Sequence, residues 1–159
     1  MSMFVKATPA PGAKTAETKQ VSILYAGLLT VMAVTQLFTF EEFIELFPSF
    51  NLPLGDVLVY GLAPALVAAE VFALPFLLRM TVSPAFRFVS MLCGWFVAAT
   101  WLFISTWVAS TRIDADTIGF LGTLAGLTPG WWAVLISLAL GVLAAWASWG
   151  LWPLRRTKK

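Results

Sequence analysis

Glu70 is the residue whose type and position in this sequence best suit chemistry. It is the one acidic residue inside four long apolar segments of a 159-residue chain. A carboxyl group in the apolar part of a membrane costs roughly 2.5–3.5 kcal/mol to insert, so it normally faces a bundle interior and often has a function. Two interpretations follow: a proton relay or hydrogen-bond partner for a bound quinone, or a structural hydrogen bond to Gln36, Ser90 or Thr100.

Two prolines flank this carboxyl group in the same segment, Pro64 and Pro75. Proline removes a backbone donor and bends a helix, and the carbonyls that it frees are tolerated in a membrane where they line a cavity. The spacing therefore predicts a pocket around Glu70. Gln36, near the end of the first apolar segment, is predicted to be a polar contact between helices. Trp101 falls near the middle of the third segment, where packed or lipid-facing bulk is favoured over a ligand wall.

Missing residue types exclude several kinds of site. The chain has no His and a single Cys, Cys93. It therefore cannot form a bis-histidine haem site, a His-bound zinc site, a Ser–His–Asp triad, an intrachain disulfide or a C-x-x-C redox pair. We predict no metal site and no assured cofactor. Enzyme status stays open, with a non-catalytic subunit favoured over a catalyst.

The composition indicates a membrane protein, because 60% of residues are hydrophobic and only 11% are charged, against about 25% charged in soluble domains. Four segments have the roughly 20 apolar residues that a bilayer requires. They cover residues 21–40, 57–78, 88–109 and 131–154. We predict an all-α integral membrane four-helix bundle over residues 21–154, between a flexible tail at 1–20 and a basic tail at 155–159.

The distribution of basic residues predicts an orientation for this bundle. Nine of the ten lie in the two tails or in the link between the second and third segments: Lys6, Lys14, Lys19, Arg79, Arg87, Arg155, Arg156, Lys158 and Lys159. Basic residues accumulate on the cytoplasmic side of membrane proteins. We therefore predict that both termini are cytoplasmic and that the membrane is the cytoplasmic (inner) membrane of a bacterium.

The connection after the first segment has a helical pattern of its own. Apolar residues recur at helical spacing: Phe40, Phe43, Ile44 and Phe47. Acids occupy the opposite face: Glu41, Glu42 and Glu45. This pattern predicts an amphipathic helix in the outer interface, with Thr39 and Glu42 as its capping box. Without a nearby His, a solvated acidic face is favoured over a metal site.

Small residues spaced by four predict where the helices pack, because they let backbones approach closely in a membrane. The predicted packing residues are Gly61, Ala65, Ala69, Ala73, Gly94 and Gly141. A second outer connection, around residues 118–127, is too apolar for an ordinary solvated loop. An interfacial helix, a cover over the bundle mouth and a docking site for a partner all remain open.

A run of short motifs between the first and third segments resembles one known family. The motifs are Gln36-Leu-Phe, Phe40-Glu-Glu-Phe, Phe50-Asn-Leu-Pro, Leu62-Ala-Pro-Ala-Leu-Val-Ala-Ala-Glu70 and a basic link ending in Arg87. In this order they resemble the DoxX/MauE-like family of small four-helix membrane proteins. The resemblance implies a redox-associated role, as a quinone-linked oxidoreductase subunit or as an accessory factor for maturing redox proteins.

The same resemblance assigns positions and shows departures. Glu70 corresponds to the acid in the family's second helix, whereas Gln36 stands where many relatives have Lys. The chain also lacks the paired cysteines of a thiol-relay member, which speaks against disulfide formation.

Two functions from different classes follow. The first is a small membrane subunit or accessory protein of a larger, redox-associated assembly, whose partners are the bilayer and other membrane subunits or copies of itself, and not nucleic acid. The alternative is a quinone- or proton-handling oxidoreductase module centred on Glu70, which would require a quinone as cofactor. A transporter or channel is less favoured, because a single intramembrane acid gives an ion or substrate too few polar groups along a path through the bundle.

Overall fold

The computed structural model describes residues 6–53, 55–113 and 115–152, without the side chains of residues 56–58. The elements are α1 (Ala16–Phe38), α2 (Phe40–Ser49), α3 (Asp56–Leu77), α4 (Pro84–Thr111), β1 (Phe120–Thr123) and α5 (Trp131–Leu151). Four of the helices, α1, α3, α4 and α5, are long and apolar enough to cross a membrane. The fold is thus an all-α bundle with four candidate spans, as predicted, and β1 is a short extended segment in the connection between α4 and α5.

Two of the spanning helices, α1 and α4, begin several residues before the apolar segments predicted for them. Helix α1 begins at Ala16 rather than at residue 21. Thr15 caps it by accepting a hydrogen bond from the Thr18 backbone N–H at 3.1 Å. Helix α4 begins at Pro84, and the Ser83 hydroxyl caps it in the same way. Such caps satisfy backbone donors that the first turn leaves free, but apolar periodicity does not reveal them.

The segment over residues 6–15 lies against the bundle. Arg87 donates a hydrogen bond to the Thr8 carbonyl at 2.8 Å, and the Lys14 backbone N–H donates to the Gly150 carbonyl at 3.0 Å. These contacts differ from the flexible tail predicted for residues 1–20. They also place this segment, the start of α4 and the end of α5 at one end of the bundle. Residues 1–5 and the basic tail at 155–159 lie outside the described residues.

Helix α2 packs its apolar face on the protein. Phe43, Phe47 and Phe50 are fully buried, and successive rings meet edge to face at 5.1 and 5.7 Å. This face contacts α3 and β1. The opposite face leaves the acidic side chains exposed: Glu41, Glu42 and Glu45.

Thr39 and Glu42 do not form the predicted capping box, because both bind β1 instead. The Thr39 hydroxyl donates to the Thr35 carbonyl at 3.3 Å and accepts from the Thr123 backbone N–H at 3.1 Å. The Thr123 hydroxyl donates to the Glu42 carboxylate. Thr39 and Glu42, which the sequence predicts to cap α2, therefore attach the connection between α4 and α5 to the start of α2.

The connection between α4 and α5, which holds β1, covers the mouth of the bundle, which is one of the three alternatives left open by its sequence. Ile118 and Phe120 are buried, and the Phe120 ring lies 4.7 Å from the ring of Trp101 on α4. Gly122 has φ +60, and a Cβ at this position would collide with the Thr39 hydroxyl. Glycine is required here both for the left-handed backbone and for the close approach to α1.

Only part of the predicted small-residue stripe packs within the chain. Ala69, Ala73 and Gly94 are buried, whereas Gly61 and Ala65 are exposed and Gly141 is half-buried. This corrects the packing predicted for those three positions. An α-helix turns about 100° per residue, so a four-residue spacing drifts by about 40° per step. Positions 61 and 73 therefore differ by about 120° and cannot face the same neighbour.

A close approach of α1 and α5 involves a glycine outside the predicted stripe. A Cβ added to Gly150 on α5 would collide with the Thr18 side chain on α1. Thr18 is itself fully buried and shares a hydrogen bond with the Thr15 hydroxyl at 2.9 Å. Gly150 therefore brings α1 and α5 together near the end of the bundle that holds residues 6–15.

Substitution of this glycine tests the packing. We expect Gly150→Ala to destabilise the protein by about 1–3 kcal/mol, because overpacking forces the two helices apart. Gly141→Ala in the same helix is the matched control and should be neutral or stabilising by up to about 1 kcal/mol. Unfolding in a denaturing detergent, followed by tryptophan fluorescence, measures both. Equal stability of the two variants would contradict the assigned contact.

Candidate functional site

Glu70 and Gln36 meet in the bundle interior, and both side chains are fully buried. The Gln36 amide Nε2 donates a hydrogen bond to Glu70 Oε1 at 3.2 Å and another to the Phe120 carbonyl at 3.1 Å. A single amide group therefore connects α1, α3 and β1. Of the three partners considered for Glu70 from sequence, the structure contains the hydrogen bond to Gln36.

The helical register of α1 brings the amide to this position. Leu29, Met32 and Gln36 follow one another at spacings of three and four residues and are all buried. Such positions lie on one face of a helix. Gln36 is near the last turn of α1, where β1 crosses the bundle mouth, so its second amide hydrogen reaches the Phe120 carbonyl.

Three further polar atoms at this site have no hydrogen-bond partner among the described residues. They are Gln36 Oε1, Glu70 Oε2 and the indole Nε1 of Trp101. The Trp101 indole lies beside the Glu70 carboxyl group and is fully buried. Because the indole N–H can only donate and a carboxylate oxygen accepts, these two groups are chemically complementary.

The site is enclosed rather than open. Glu70 and Trp101 are both fully buried, and Phe120 packs on the Trp101 ring. Three cavities of about 300, 330 and 400 Å³ lie elsewhere on the molecule. Their linings include Arg112, Phe103 and Phe38 respectively, and Glu70 lines none of them. The pocket predicted around Glu70 is thus not one of these larger cavities.

The Ser90 side chain of α4 supplies hydrogen-bond partners to the α3 backbone beside Pro75, where the sequence predicts a bend. The Phe76 backbone N–H donates to the Ser90 hydroxyl at 2.9 Å, and that hydroxyl donates to the Ala73 carbonyl at 3.2 Å. Ser90 therefore serves the backbone of α3 and does not bind Glu70. A neighbouring helix thus supplies hydrogen bonds to the backbone on both sides of a proline within an apolar helix, as membrane helices with prolines require.

The remaining candidate residues lie apart from Glu70. The acidic side chains of α2 are exposed, and Glu42 is held by Thr123. Among the described residues there is no group of three His, Cys, Asp or Glu side chains that could hold a metal ion.

Sequence reasoning does not assign Phe120 and Trp101 to the site. Phe120 contributes a backbone carbonyl, which carries no signal in residue type. Trp101 carries a weak signal, because a mid-span indole N–H must find a polar partner when buried.

No family model, curated protein or solved structure matches the chain. Inference of function therefore rests on the contacts described above and on the motif resemblance.

A double-mutant cycle tests whether Gln36 and Glu70 are energetically coupled. Gln36→Met and Glu70→Met keep side-chain length and remove the polar groups. We expect a coupling energy of about 0.6–1.7 kcal/mol, the range measured for hydrogen bonds between membrane helices. Gln36→Met should destabilise more than Glu70→Met, because it also leaves the Phe120 carbonyl unpaired.

Detergent unfolding monitored by tryptophan fluorescence gives the four free energies of the cycle. Gln20→Met is the control, because Gln20 is exposed at the start of the same helix. A coupling energy indistinguishable from zero would show that the two side chains do not interact as described.

Proposed function

We propose that this chain is a small integral membrane subunit or accessory protein of a larger, redox-associated membrane assembly. One observation carries the non-catalytic part of the proposal: the Glu70 carboxyl group is fully buried and hydrogen-bonded to Gln36. An acid used in this way joins helices and is shielded from substrate. The redox association rests on the DoxX/MauE-like resemblance of the motifs around Gln36 and Glu70.

Exposed apolar side chains on the candidate spans support a bilayer as the surrounding medium. On α1 these include Leu24 and Val31, and on α5 they include Leu135 and Val142. Other membrane subunits, or copies of the same chain, would contact part of this surface. Because hydrophobicity does not drive helices together inside lipid, such partners would have to be recognised by shape and by small or polar residues.

The proposed orientation places both termini in the cytoplasm. Arg87 and Lys14 lie at the end of the bundle that holds the N-terminal segment and the end of α5. The acidic face of α2 follows the opposite end of α1. Basic residues on the cytoplasmic side and acids outside fit the positive-inside rule and the cytoplasmic membrane of a bacterium.

A quinone- or proton-handling module is the second candidate. Its favouring observation is that the Trp101 indole N–H, a donor, lies beside the Glu70 carboxyl group, an acceptor, in the bundle interior. An acceptor and a donor of this kind could contact a quinone or exchange a proton if the cover formed by β1 moved.

Glu70→Gln separates the two candidates. The Gln side chain keeps an oxygen that accepts from Gln36, so the subunit proposal expects an intact complex and a stability change below about 1 kcal/mol. Native mass spectrometry in mild detergent gives the mass of the complex, and membrane vesicles give quinone-linked electron transfer. Glu45→Gln, at an exposed carboxylate, is the matched control.

The outcomes point in different directions. A complex and an electron-transfer rate that both equal wild type support the subunit. Loss of electron transfer or proton coupling in Glu70→Gln, with the complex intact, supports the catalytic module instead. Wild type that appears only as a bare monomer would overturn the subunit proposal.

Cysteine labelling tests the orientation. Cys93 is the only cysteine, so a Cys93→Ser background accepts single cysteines at exposed positions. We expect a membrane-impermeant maleimide to label Glu45→Cys in intact cells and Thr81→Cys only after the membrane is opened. The reverse pattern would place both termini outside.

A further inference from the structure

A cavity with one charged side chain in its lining lies at the end of the bundle opposite residues 6–15. Helix α4 ends there and α5 begins there. The lining includes Val108, Ala109 and Arg112 at the end of α4, and Gly130 and Trp131 at the start of α5. We name it the Arg112 cavity. Its volume of about 300 Å³ lies at the lower end of the range for small-molecule sites, and it is independent of the Gln36–Glu70 contact and of the proposed function.

The position of the Arg112 cavity along the spans sets the part of a bilayer that it meets. Both α4 and α5 are candidate spans, over Pro84–Thr111 and Trp131–Leu151. Their ends at the cavity therefore lie where the spans leave the hydrocarbon core, which is the level of the lipid headgroups. The Trp131 side chain is 66% exposed, and amphipathic indole rings favour this same level.

Arg112 is exceptional in charge and in backbone conformation. Nine of the ten basic residues lie in the two predicted tails or between the second and third apolar segments, and Arg112 is the tenth. It ends α4 in the left-handed conformation, with φ 52° and ψ 40°, where glycine is usual because a Cβ makes this conformation unfavourable. Neither charge sorting nor backbone preference favours arginine here, and such outliers are frequent at ligand sites.

The Arg112 guanidinium determines the chemistry of a matching ligand. It is planar, always charged, and presents paired N–H donors that fit two oxygens of one phosphate group. Val108 and Ala109 add apolar surface to the same cavity. A phospholipid combines the two properties that this lining requires, because its phosphodiester group is joined to acyl chains.

We propose that the Arg112 cavity binds the headgroup of one phospholipid. The guanidinium donates to the phosphate oxygens, and the acyl chains leave the cavity past Val108 and Ala109 toward the hydrocarbon core. Because the cavity is lined from the end of α4 and from the start of α5, the bound lipid stabilises both ends of the connection that carries β1.

Substitutions at Arg112 separate its charge from its geometry. Arg112→Asn removes the charge and should fold, because asparagine tolerates the left-handed conformation. Arg112→Lys keeps the charge but loses the paired donors. Lys19→Gln is the matched control, because it removes one positive charge from an exposed position near the opposite end of the bundle.

Native mass spectrometry in mild detergent, with added dioleoylphosphatidylethanolamine, measures the binding. We expect wild type and Lys19→Gln to bind one phospholipid with equal affinity. Arg112→Asn should bind it about tenfold more weakly, because a hydrogen bond to a charged group is lost, and Arg112→Lys should lie between. Dioleoylglycerol, which has the same chains without the phosphate, should bind wild type as weakly as the phospholipid binds Arg112→Asn.

Photo-cross-linking locates the bound lipid. A phosphatidylethanolamine with a photoreactive diazirine close to its glycerol should cross-link to peptides that contain residues 108–113 or 129–131. The same reagent should give fewer of these cross-links in Arg112→Asn.

Four results would overturn the proposal. The first is that wild type binds no phospholipid. The second is equal affinity in wild type and Arg112→Asn, which is expected if Arg112 only pairs with an acid of its own connection. The third is cross-links confined to other segments, and the fourth is displacement of the lipid by inorganic phosphate, which would show a site for a free anion. If Arg112→Asn does not fold, the dioleoylglycerol comparison and the cross-links in wild type decide the question.

Discussion

The lack of water inside a bilayer is the constraint on which the rest of this structure depends. A buried polar group there is stabilised by a partner within the protein, because an unpaired group in hydrocarbon costs several kcal/mol. Gln36 shows the consequence most directly. Its amide binds Glu70 and the Phe120 carbonyl, so one side chain joins two spans to the outer cover.

The same requirement organises the connection between α1 and α3 and the connection between α4 and α5. Thr39 precedes α2 and Glu42 lies in its first turn, and both side chains bind Thr123 of β1. Phe120 places its ring on Trp101 while its backbone serves Gln36. The cover therefore attaches to α1, α2 and α4 at once, and the left-handed Gly122 lets it approach closely. Side-chain hydrogen bonds hold the two connections together here, as backbone hydrogen bonds of a continuous sheet do in a soluble protein.

These buried hydrogen bonds bear on function, because the Glu70 carboxyl group can either join helices or take part in chemistry. Held by Gln36 and enclosed by Trp101, it acts as a joint between helices, which suits a subunit whose activity lies in its assembly. Among the described residues, Glu70 Oε2 and Trp101 Nε1 have no assigned hydrogen-bond partner. Chemistry at this position would require the cover over the bundle mouth to move.

The sequence by itself determined the features that depend on local composition. Four apolar segments, the sorting of basic residues, the amphipathic pattern of α2 and the presence of one acid, Glu70, inside an apolar segment could all be predicted, because hydropathy and helical periodicity are properties of neighbouring residues. The sequence left Gln36, Ser90 and Thr100 open as partners of that acid. Only the tertiary structure decided that β1 covers the bundle, that Thr39 binds Thr123, and that Gly150 rather than Gly141 is the close contact on α5. These depend on the angle and register at which distant segments meet. A drift of about 40° per four residues is enough to move a small residue from a packed face to an exposed one.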